Sequence, residues 1–212
     1  MTMARTAPAA TPAATRDADV PDEALLVLYA NGDRGAARLL SLRLVPRTLG
    51  YAARLLGGDR AEAEDVVQEA MLRLWRVAPD WRSGEAKVST WLYRVVTNLC
   101  TDRRRARVRR ADPAGDEMPD VADGAPGAEA RLIAADRAMA LAAALAQLPD
   151  RQRQAVVLRH IEGLSNPEIA AVLDLGVEAV ESLTARGKRS LAAILSGQRD
   201  ALGYSDGGGD DG

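Results

Sequence analysis

The stretch Trp91 to Arg110, WLYRVVTNLCTDRRRARVRR, reads as one helix with two jobs along its length. Trp91, Leu92, Val95, Val96, Leu99 and Cys100 recur at the spacing that lines one side of a helix of roughly 3.6 residues per turn. Arg94, Thr97, Asn98 and Thr101 fall on its other sides. The first half is therefore a packing stripe with a polar back. From Arg103 the stripe gives way to Arg103, Arg104, Arg105, Arg107, Arg109 and Arg110, a density of guanidinium that requires water or a polyanion around it. Two readings stay open from this stretch alone. The arginines suit the negative end of a helix dipole in solvent, and they equally suit a nucleic-acid backbone.

Composition narrows the surroundings of that helix. The chain has 212 residues, room for one ordinary domain or two small ones. Net charge is only -2, so a basic patch has to be balanced by acidic segments elsewhere. Aromatic residues are 3% of the chain and Phe is absent, which leaves Leu, Val and Ala to build the core, the residues of helix-on-helix packing. One cysteine cannot form an internal disulfide, and Cys100 with His160 cannot assemble a closed zinc site. Neither a signal-peptide core nor a membrane span is legible, so the expectation is a cytoplasmic protein without membrane insertion.

Upstream of the central helix, residues 1–20 are rich in Ala, Thr and Pro and are expected to be a disordered tail. Order is expected from PDEALLVLYANGD, with Leu25, Leu26, Leu28 and Tyr29 as apolar content and Asn31-Gly32-Asp33 as a stop. A second helix is expected from Arg34 to Leu56, with Leu39, Leu40, Leu42, Leu44, Leu49 and Leu55 inward and a bend at Pro46. In the next, Ala61 to Val77, a buried stripe of Val66, Val67, Ala70, Met71, Leu74 and Trp75 leaves Glu62, Asp65, Gln68, Glu69 and Arg73 outward. Pro79 to Val88 reads as a loop that holds Trp81 and the Ser83-Gly84 pair.

Downstream the composition inverts. Residues 111–130 carry Asp112, Asp116, Glu117, Asp120, Asp123 and Glu129 with no lysine or arginine beyond Arg110, punctuated by prolines and glycines, and read as a flexible acidic linker. A second helical block spans 131–196. Pro149 opens one helix, DRQRQAVVLRHIEGL, in which AVVLRHI is taken as helix rather than strand. Ser165 and Glu168 form a capping-box pattern for the next, in which Ile169, Ala170 and Leu173 are inward. The turn at Leu175-Gly176-Val177 then leads into VEAVESLTARGKRSLAAIL, giving a helix-turn-helix unit. Its second helix, Val177 to Leu195, turns Val180, Leu183, Leu191 and Ile194 inward and Glu178, Glu181, Ser182, Thr184, Ala185, Arg186, Lys188 and Arg189 outward. Residues at a recognition helix's N-terminal end reach base edges, so Glu178, Glu181, Ser182 and Ala185 are assigned to base reading or its exclusion; Arg186, Lys188 and Arg189 hold phosphates. Residues 197–212, with Gly207-Gly208-Gly209, read as a disordered tail.

The fold expected is all-α, two small helical domains (21–110 and 131–196) joined by the acidic linker. Enzymatic chemistry finds no footing, and no catalytic residue, metal ligand or cofactor is assigned. Gly57-Gly58 is not followed by the Lys and Ser/Thr of a P-loop, and His160 sits in a helix among Val157, Leu158 and Ile161, where packing or solvation is its ordinary role.

With these motifs in order, the chain resembles bacterial extracytoplasmic-function (ECF) RNA polymerase sigma factors. DEALLVLYANGDRGAARLL, AEAEDVVQEAMLRLW and VSTWLYRVVTNLCTDRRR resemble sigma domain two, and ALAQLPDRQRQAVVLRHIEGLSNPEIAAVLDLGVEAVESLTARGKRSL looks like sigma domain four. The resemblance implies a subunit that binds the β and β′ subunits of core RNA polymerase and directs it to promoter DNA in a stress or signal response, with an anti-sigma factor as a further partner. By position, Asp65, Gln68 and Glu69 match the family's face for the β′ clamp helices. Asn98 falls in the match to the W-L-x-x-I-A-x-N-x-x-x-D pattern, near the pocket for a base flipped from the −10 element, which the loop Asp80 to Lys87 would shape. Asp102, Arg103, Arg104 and Arg105 match the part that meets the adjoining DNA. Arg186, Lys188 and Arg189 match positions that face the −35 duplex. Ala37 and Met71 depart from the pattern, standing where the family commonly has Phe. Gly187 lies inside the recognition helix, where glycine costs roughly 1 kcal/mol against alanine. Two other readings need no polymerase: a two-domain DNA-binding regulator, and a helical adaptor whose basic faces are merely solvated.

Overall fold

The computed structural model describes residues 20–82, 84, 86–110 and 139–196. Every regular element among them is helical, as the composition and periodicity predict. The first domain comprises α1 (Asp22–Ala30), α2 (Arg34–Leu55), α3 (Arg60–Val77), a single 3-10 turn (Ala78–Asp80) and α4 (Val88–Arg110). The second comprises α5 (139–146), α6 (Asp150–His160), α7 (Asn166–Leu173) and α8 (Val177–Ser196). Both tails and the acidic linker lie outside the described residues.

Short polar side chains set the starts of α2 and α3. The Asp33 carboxylate accepts the Gly35 and Ala36 N–H groups at 2.8 and 3.2 Å, and Asp59 accepts the Glu62 N–H at 3.0 Å, satisfying donors that a helix start leaves free. The chain leaves α2 through Gly57 and Gly58 at φ of +73° and +96°, a backbone that a side chain would strain. The start of α4 is held from across the domain, where Glu23 of α1 accepts the Val88 N–H at 3.0 Å. Pro46 removes one rung of the α2 hydrogen-bond ladder, yet α2 runs through it as one element.

Leu26, Leu40, Tyr51, Val66, Leu74, Leu92 and Val96 form the sealed centre of the first domain. One expected core leucine is elsewhere: Leu42 is 63% exposed, and on α1 Leu28 is 44% exposed. On α2 the buried row is Ala36, Leu40, Leu44, Thr48, Tyr51, Ala52 and Leu55, so Leu42, two positions from Leu40 and Leu44, has to face away. Thr97, expected on the polar back of α4, is buried and shares a hydrogen bond of 2.8 Å with the Tyr51 hydroxyl. Its hydroxyl also donates to the Tyr93 carbonyl at 2.7 Å, so the buried oxygen is satisfied. Trp81 packs edge-on against Trp91 with ring centroids 6.0 Å apart, which anchors the loop before α4.

In the second domain, the capping box of α7 forms through Glu168 Oε2, which accepts the Ser165 N–H at 2.9 Å and the Ser165 hydroxyl at 2.7 Å. The α7–α8 turn is made by Asp174 at φ +55° rather than by Gly176, since a short polar side chain tolerates the left-handed region. The α8 face behaves as expected at Val180, which is buried, and at Leu183, Leu191 and Ile194, which pack on the core. Thr184 departs from it, with a hydroxyl that is buried and lacks a partner among the described residues. Gly187 is buried where α8 crosses α6. The two domains pack against each other, α7 on α4 and α6 on α2, and share one continuous cluster of buried side chains.

Candidate nucleic-acid interface

Helix α4 sorts its polar residues onto two sides. Arg94, Asn98, Asp102, Arg105 and Arg109 are all exposed and follow one another at three- or four-residue steps, a continuous ridge along one face. The opposite side is committed internally. Arg107 pairs with Asp59 at 2.9 Å and Glu62 at 2.5 Å on α3, and Arg104 pairs with Asp150 at the start of α6. The arginine cluster therefore divides. Arg105 and Arg109 form no ion pair among the described residues and stay open to a polyanion, whereas Arg104, expected on DNA, is already occupied. Arg103 is half-buried between these two sides.

Asn98 stands in the middle of the ridge, one turn from Arg94 and one from Asp102, above the sealed row Leu92, Val96, Leu99 and Cys100. Burial pushes the Cys100 thiol up to about 12, so at neutral pH it is a packed apolar group, not a nucleophile. Burial likewise raises Tyr51 and then Tyr93, whose hydroxyl donates to Glu162 Oε2 at 2.6 Å.

On α3, Asp65 and Gln68 are exposed and Glu69 is half-buried, with Glu69 paired to Arg73 at 2.5 Å. Asp65 and Gln68 line the edge of a groove of about 520 Å³ between α2 and α3, whose floor includes Val45, Leu49, Met71 and Trp75. Leu72 contributes an apolar side chain that is 49% exposed. Spacing alone could not find this groove, because one wall, Ser41, Val45 and Leu49, comes from α2.

On α8, Glu178, Glu181, Ser182, Ala185, Arg186, Lys188 and Arg189 are all exposed, so the structure brings the expected reading set onto one open surface. Arg186 donates to the Ser182 hydroxyl at 2.7 Å, and Glu181 accepts from Asn166 at 3.2 Å. The helix is thus ordered by local bonds that a ligand can exchange.

Sequence reasoning missed the carboxylates that join the domains. Glu162, in the turn after α6, accepts from Tyr93 and stands 3.5 Å from Arg54, while Lys87 meets Glu168 at 2.6 Å. The Lys87 ammonium, then the Ser165 hydroxyl and N–H, pull the Glu168 carboxyl from its usual 4.5 down to about 2. A carboxyl depressed on folding stabilises the native state fully above its ordinary value and loses that contribution as pH falls towards the depressed one. The stability advantage of the natural protein over Glu168→Gln is therefore expected to hold at pH 5 and shrink steadily from 4.5 towards 2. Thermal unfolding of the two across that range checks it, and a gap independent of pH would reject the ion pair as its source.

A helix-turn-helix with an open basic face, behind a helical domain whose own basic helix carries an exposed polar ridge, defines a two-domain helical protein built on the plan of the sigma-70 family. Residues 40–110 match sigma-70 region 2, and residues 138–191 match sigma-70 region 4. The chain is 38% identical over 175 residues to the ECF RNA polymerase sigma factor SigM of Mycobacterium tuberculosis, covering 82% of this chain and 84% of that protein. It is 34% identical over 185 residues to the RNA polymerase sigma factor CnrH of Cupriavidus metallidurans, covering 82% and 96%. The solved structure of CnrH in complex with the cytosolic domain of CnrY superposes with a TM-score of 0.62 at 30% identity, covering 83% of this chain and 97% of that one. The chain belongs to the ECF RNA polymerase sigma factor family, a family of transcription initiation factors. Among the described residues no helix is long and apolar enough to cross a membrane.

Proposed function

We propose that this sigma factor docks on core RNA polymerase through α3, reads a −10 element with the α4 ridge, and reads a −35 duplex with α8, acting in the cytoplasm in a stress or signal response. The observation that carries the reading is the ridge Arg94, Asn98, Asp102, Arg105 and Arg109, exposed along one face of a helix whose opposite side packs through Leu92, Val96, Leu99 and Cys100 and pairs through Arg104 and Arg107. Asn98 offers an amide donor and acceptor that match the Watson–Crick edge of an extruded base, and the arginines on either side supply charge for the strand backbone. Asp102, Arg103 and Arg105 continue that contact towards the duplex, and Arg104 joins them once it is released from Asp150.

Docking on the polymerase is supported by chemistry on α3. Asp65 and Gln68 border an apolar groove that Leu72 also lines, with Glu69 one position further along the helix, a surface suited to a helical partner with a basic rim. On α8, Glu178, Glu181, Ser182 and Ala185 lie towards the N-terminal half, where a recognition helix meets base edges, and Arg186, Lys188 and Arg189 lie where it meets phosphates. CnrH was solved with the cytosolic domain of CnrY, and a protein inhibitor of that kind is proposed for this chain as well. The domains are proposed as 21–110 for polymerase and −10 binding and 131–196 for −35 binding; the family matches, residues 40–110 and 138–191, lie within them.

Run-off transcription with purified core enzyme tests the reading, and the absence of any promoter-dependent transcript from a library of stress-type promoters would overturn it. Two substitutions dissect it. Asn98→Ala is expected to impair promoter opening while core binding is retained, and equal loss of both would remove Asn98 from base reading. Arg186→Ala is expected to weaken −35 duplex binding and lower the salt slope by about one counterion for one phosphate lost. An unchanged slope would reject that contact.

A further inference from the structure

The recognition helix opens with acid rather than with base. Glu178, Glu181, Ser182 and Ala185 come first along the exposed face of α8, and the cations Arg186, Lys188 and Arg189 follow. A carboxylate brought up to a polyanion is repelled by the phosphates on every side. Two of them at the base-reading end of α8 therefore weaken binding unless a base contact offsets the repulsion.

Of the two, Glu181 is the one that is held. Its Oε1 accepts from Asn166 Nδ2 at 3.2 Å, a bond that joins the two helices of the helix-turn-helix, whereas Glu178 forms no side-chain hydrogen bond or ion pair among the described residues. Asn166 is the first residue of α7, and its place is fixed by the capping box that Ser165 and Glu168 close around it at 2.7 and 2.9 Å. The partner is a neutral amide. Glu181 thus keeps its full charge on an exposed side chain, and its Oε2 has no partner among the described residues. Ser182 beside it differs in sign. Arg186 Nη2 donates to Ser182 Oγ at 2.7 Å, which occupies a lone pair and leaves the hydroxyl hydrogen to be donated outward.

What Glu181 can recognise follows from its bonding capacity. An ionised carboxylate accepts and never donates. In the major groove guanine shows N7 and O6 and thymine shows O4, all of them acceptors, so both meet a carboxylate with repulsion. Cytosine shows the N4 amino group, a donor. Adenine shows its N6 amino group but sets the acceptor N7 beside it, against the second carboxylate oxygen. The order is cytosine first, adenine second, guanine and thymine last. Ser182, as a donor, suits a purine N7, so guanine is refused only at the position under Glu181.

We infer that Glu181 fixes one base pair of the −35 duplex as C·G, accepting from cytosine N4 and rejecting guanine and thymine in its place, with Asn166 as the positioning residue. This rests on the reading of α8 as the −35 surface.

For the test, holoenzyme formed from the full chain and purified core polymerase selects from a pool of promoter duplexes randomised across the −35 and −10 regions, and the bound fraction is sequenced. The natural chain is expected to enrich cytosine at one −35 position, on one strand or the other, by about five- to a hundredfold over guanine and thymine. Glu181→Gln keeps the shape and removes the charge. Glutamine pairs with adenine N6 and N7 together, so that position alone should turn from cytosine to adenine on the same strand. Asn166→Ala should leave cytosine preferred but lower its enrichment several-fold at that position, because the carboxylate then samples other rotamers. An enriched −35 element with no cytosine position, or with one that Glu181→Gln leaves unchanged, would overturn the assignment to Glu181 and leave the reading of α8 standing. Enrichment in Asn166→Ala equal to that of the natural chain, or a fall spread evenly over every −35 position, would overturn the positioning role. No enrichment at any −35 position would overturn the reading of α8 itself, and the inference with it.

Discussion

Replacing Gly187 by alanine is expected to destabilise the second domain by about 1–3 kcal/mol, although alanine is the better helix former. A Cβ built at Gly187 would stand 2.6 Å from Val156 Cγ2, 3.1 Å from the Gln152 carbonyl oxygen and 3.2 Å from Gln152 Cβ. The first distance is an overlap between two branches of a packed crossing, and the second is set by backbone that cannot rotate away. Helix propensity returns about 1 kcal/mol, so the overlap has to exceed that for the substitution to destabilise. Urea unfolding of the full chain measures it. Adding Val156→Ala removes the nearest atom and should recover part of the loss, while an increase in stability for Gly187→Ala alone would show that α6 and α8 do not approach this closely. Because α8 carries Arg186, Lys188 and Arg189 on either side of the crossing, the same substitution should also weaken duplex binding by tilting that face.

Gly187 illustrates which features were legible in the sequence. A periodic signal is written along one helix, so the stripe Leu92, Val96, Leu99 on α4 and the exposed reading set on α8 could be read directly. A glycine at a crossing carries no such signal, because the reason for it is a side chain on another helix. Taken alone, Gly187 reads as a helix defect; beside Val156 it is the condition for packing. Asp174 and Gly176 make the same point at smaller scale. Gly176 is the residue that propensity selects for the turn, but the left-handed position fell one step past the end of α7, on Asp174.

The internal pairing of the arginines was the least legible feature. Arg104 and Asp150 are 46 residues apart and Lys87 and Glu168 are 81 apart, with a proline- and glycine-rich segment between them. Charge counting says only that basic and acidic residues balance; it cannot say which carboxylate meets which guanidinium. Thr97 failed for a related reason. A threonine on the margin of an apolar stripe takes its burial from what arrives opposite, and here that is the Tyr51 hydroxyl.

Arg153→Met is expected to cost about 3 kcal/mol, a large loss for a residue with no exposed function. Arg153 is 2% exposed and its guanidinium donates to three carbonyls: Leu55 at 3.0 Å, Ala146 at 2.9 Å and Leu148 at 2.9 Å. Leu55 ends α2 and Ala146 ends α5, so one cation occupies the negative ends of two helices, one from each domain. Burial, then the nearby Arg104, lowers the guanidinium to about 10, and Asp150 opposes that; it remains charged at neutral pH. Methionine keeps the apolar stem and removes every donor, leaving three acceptors short of a partner. Arg153→Lys keeps the charge but offers a point donor in place of a planar fork, and should recover only part of the loss. Denaturant unfolding ranks the three forms. Of the three acceptors only Leu55 belongs to the first domain, so its share, about 1 kcal/mol, exists only while the two domains are in contact. Where Glu162→Lys breaks that contact by removing the bonds to Arg54 and Tyr93, Arg153→Met should therefore cost less by that amount, a non-additivity that a double-mutant cycle reads directly. Strict additivity would mean that the guanidinium acts within the second domain alone.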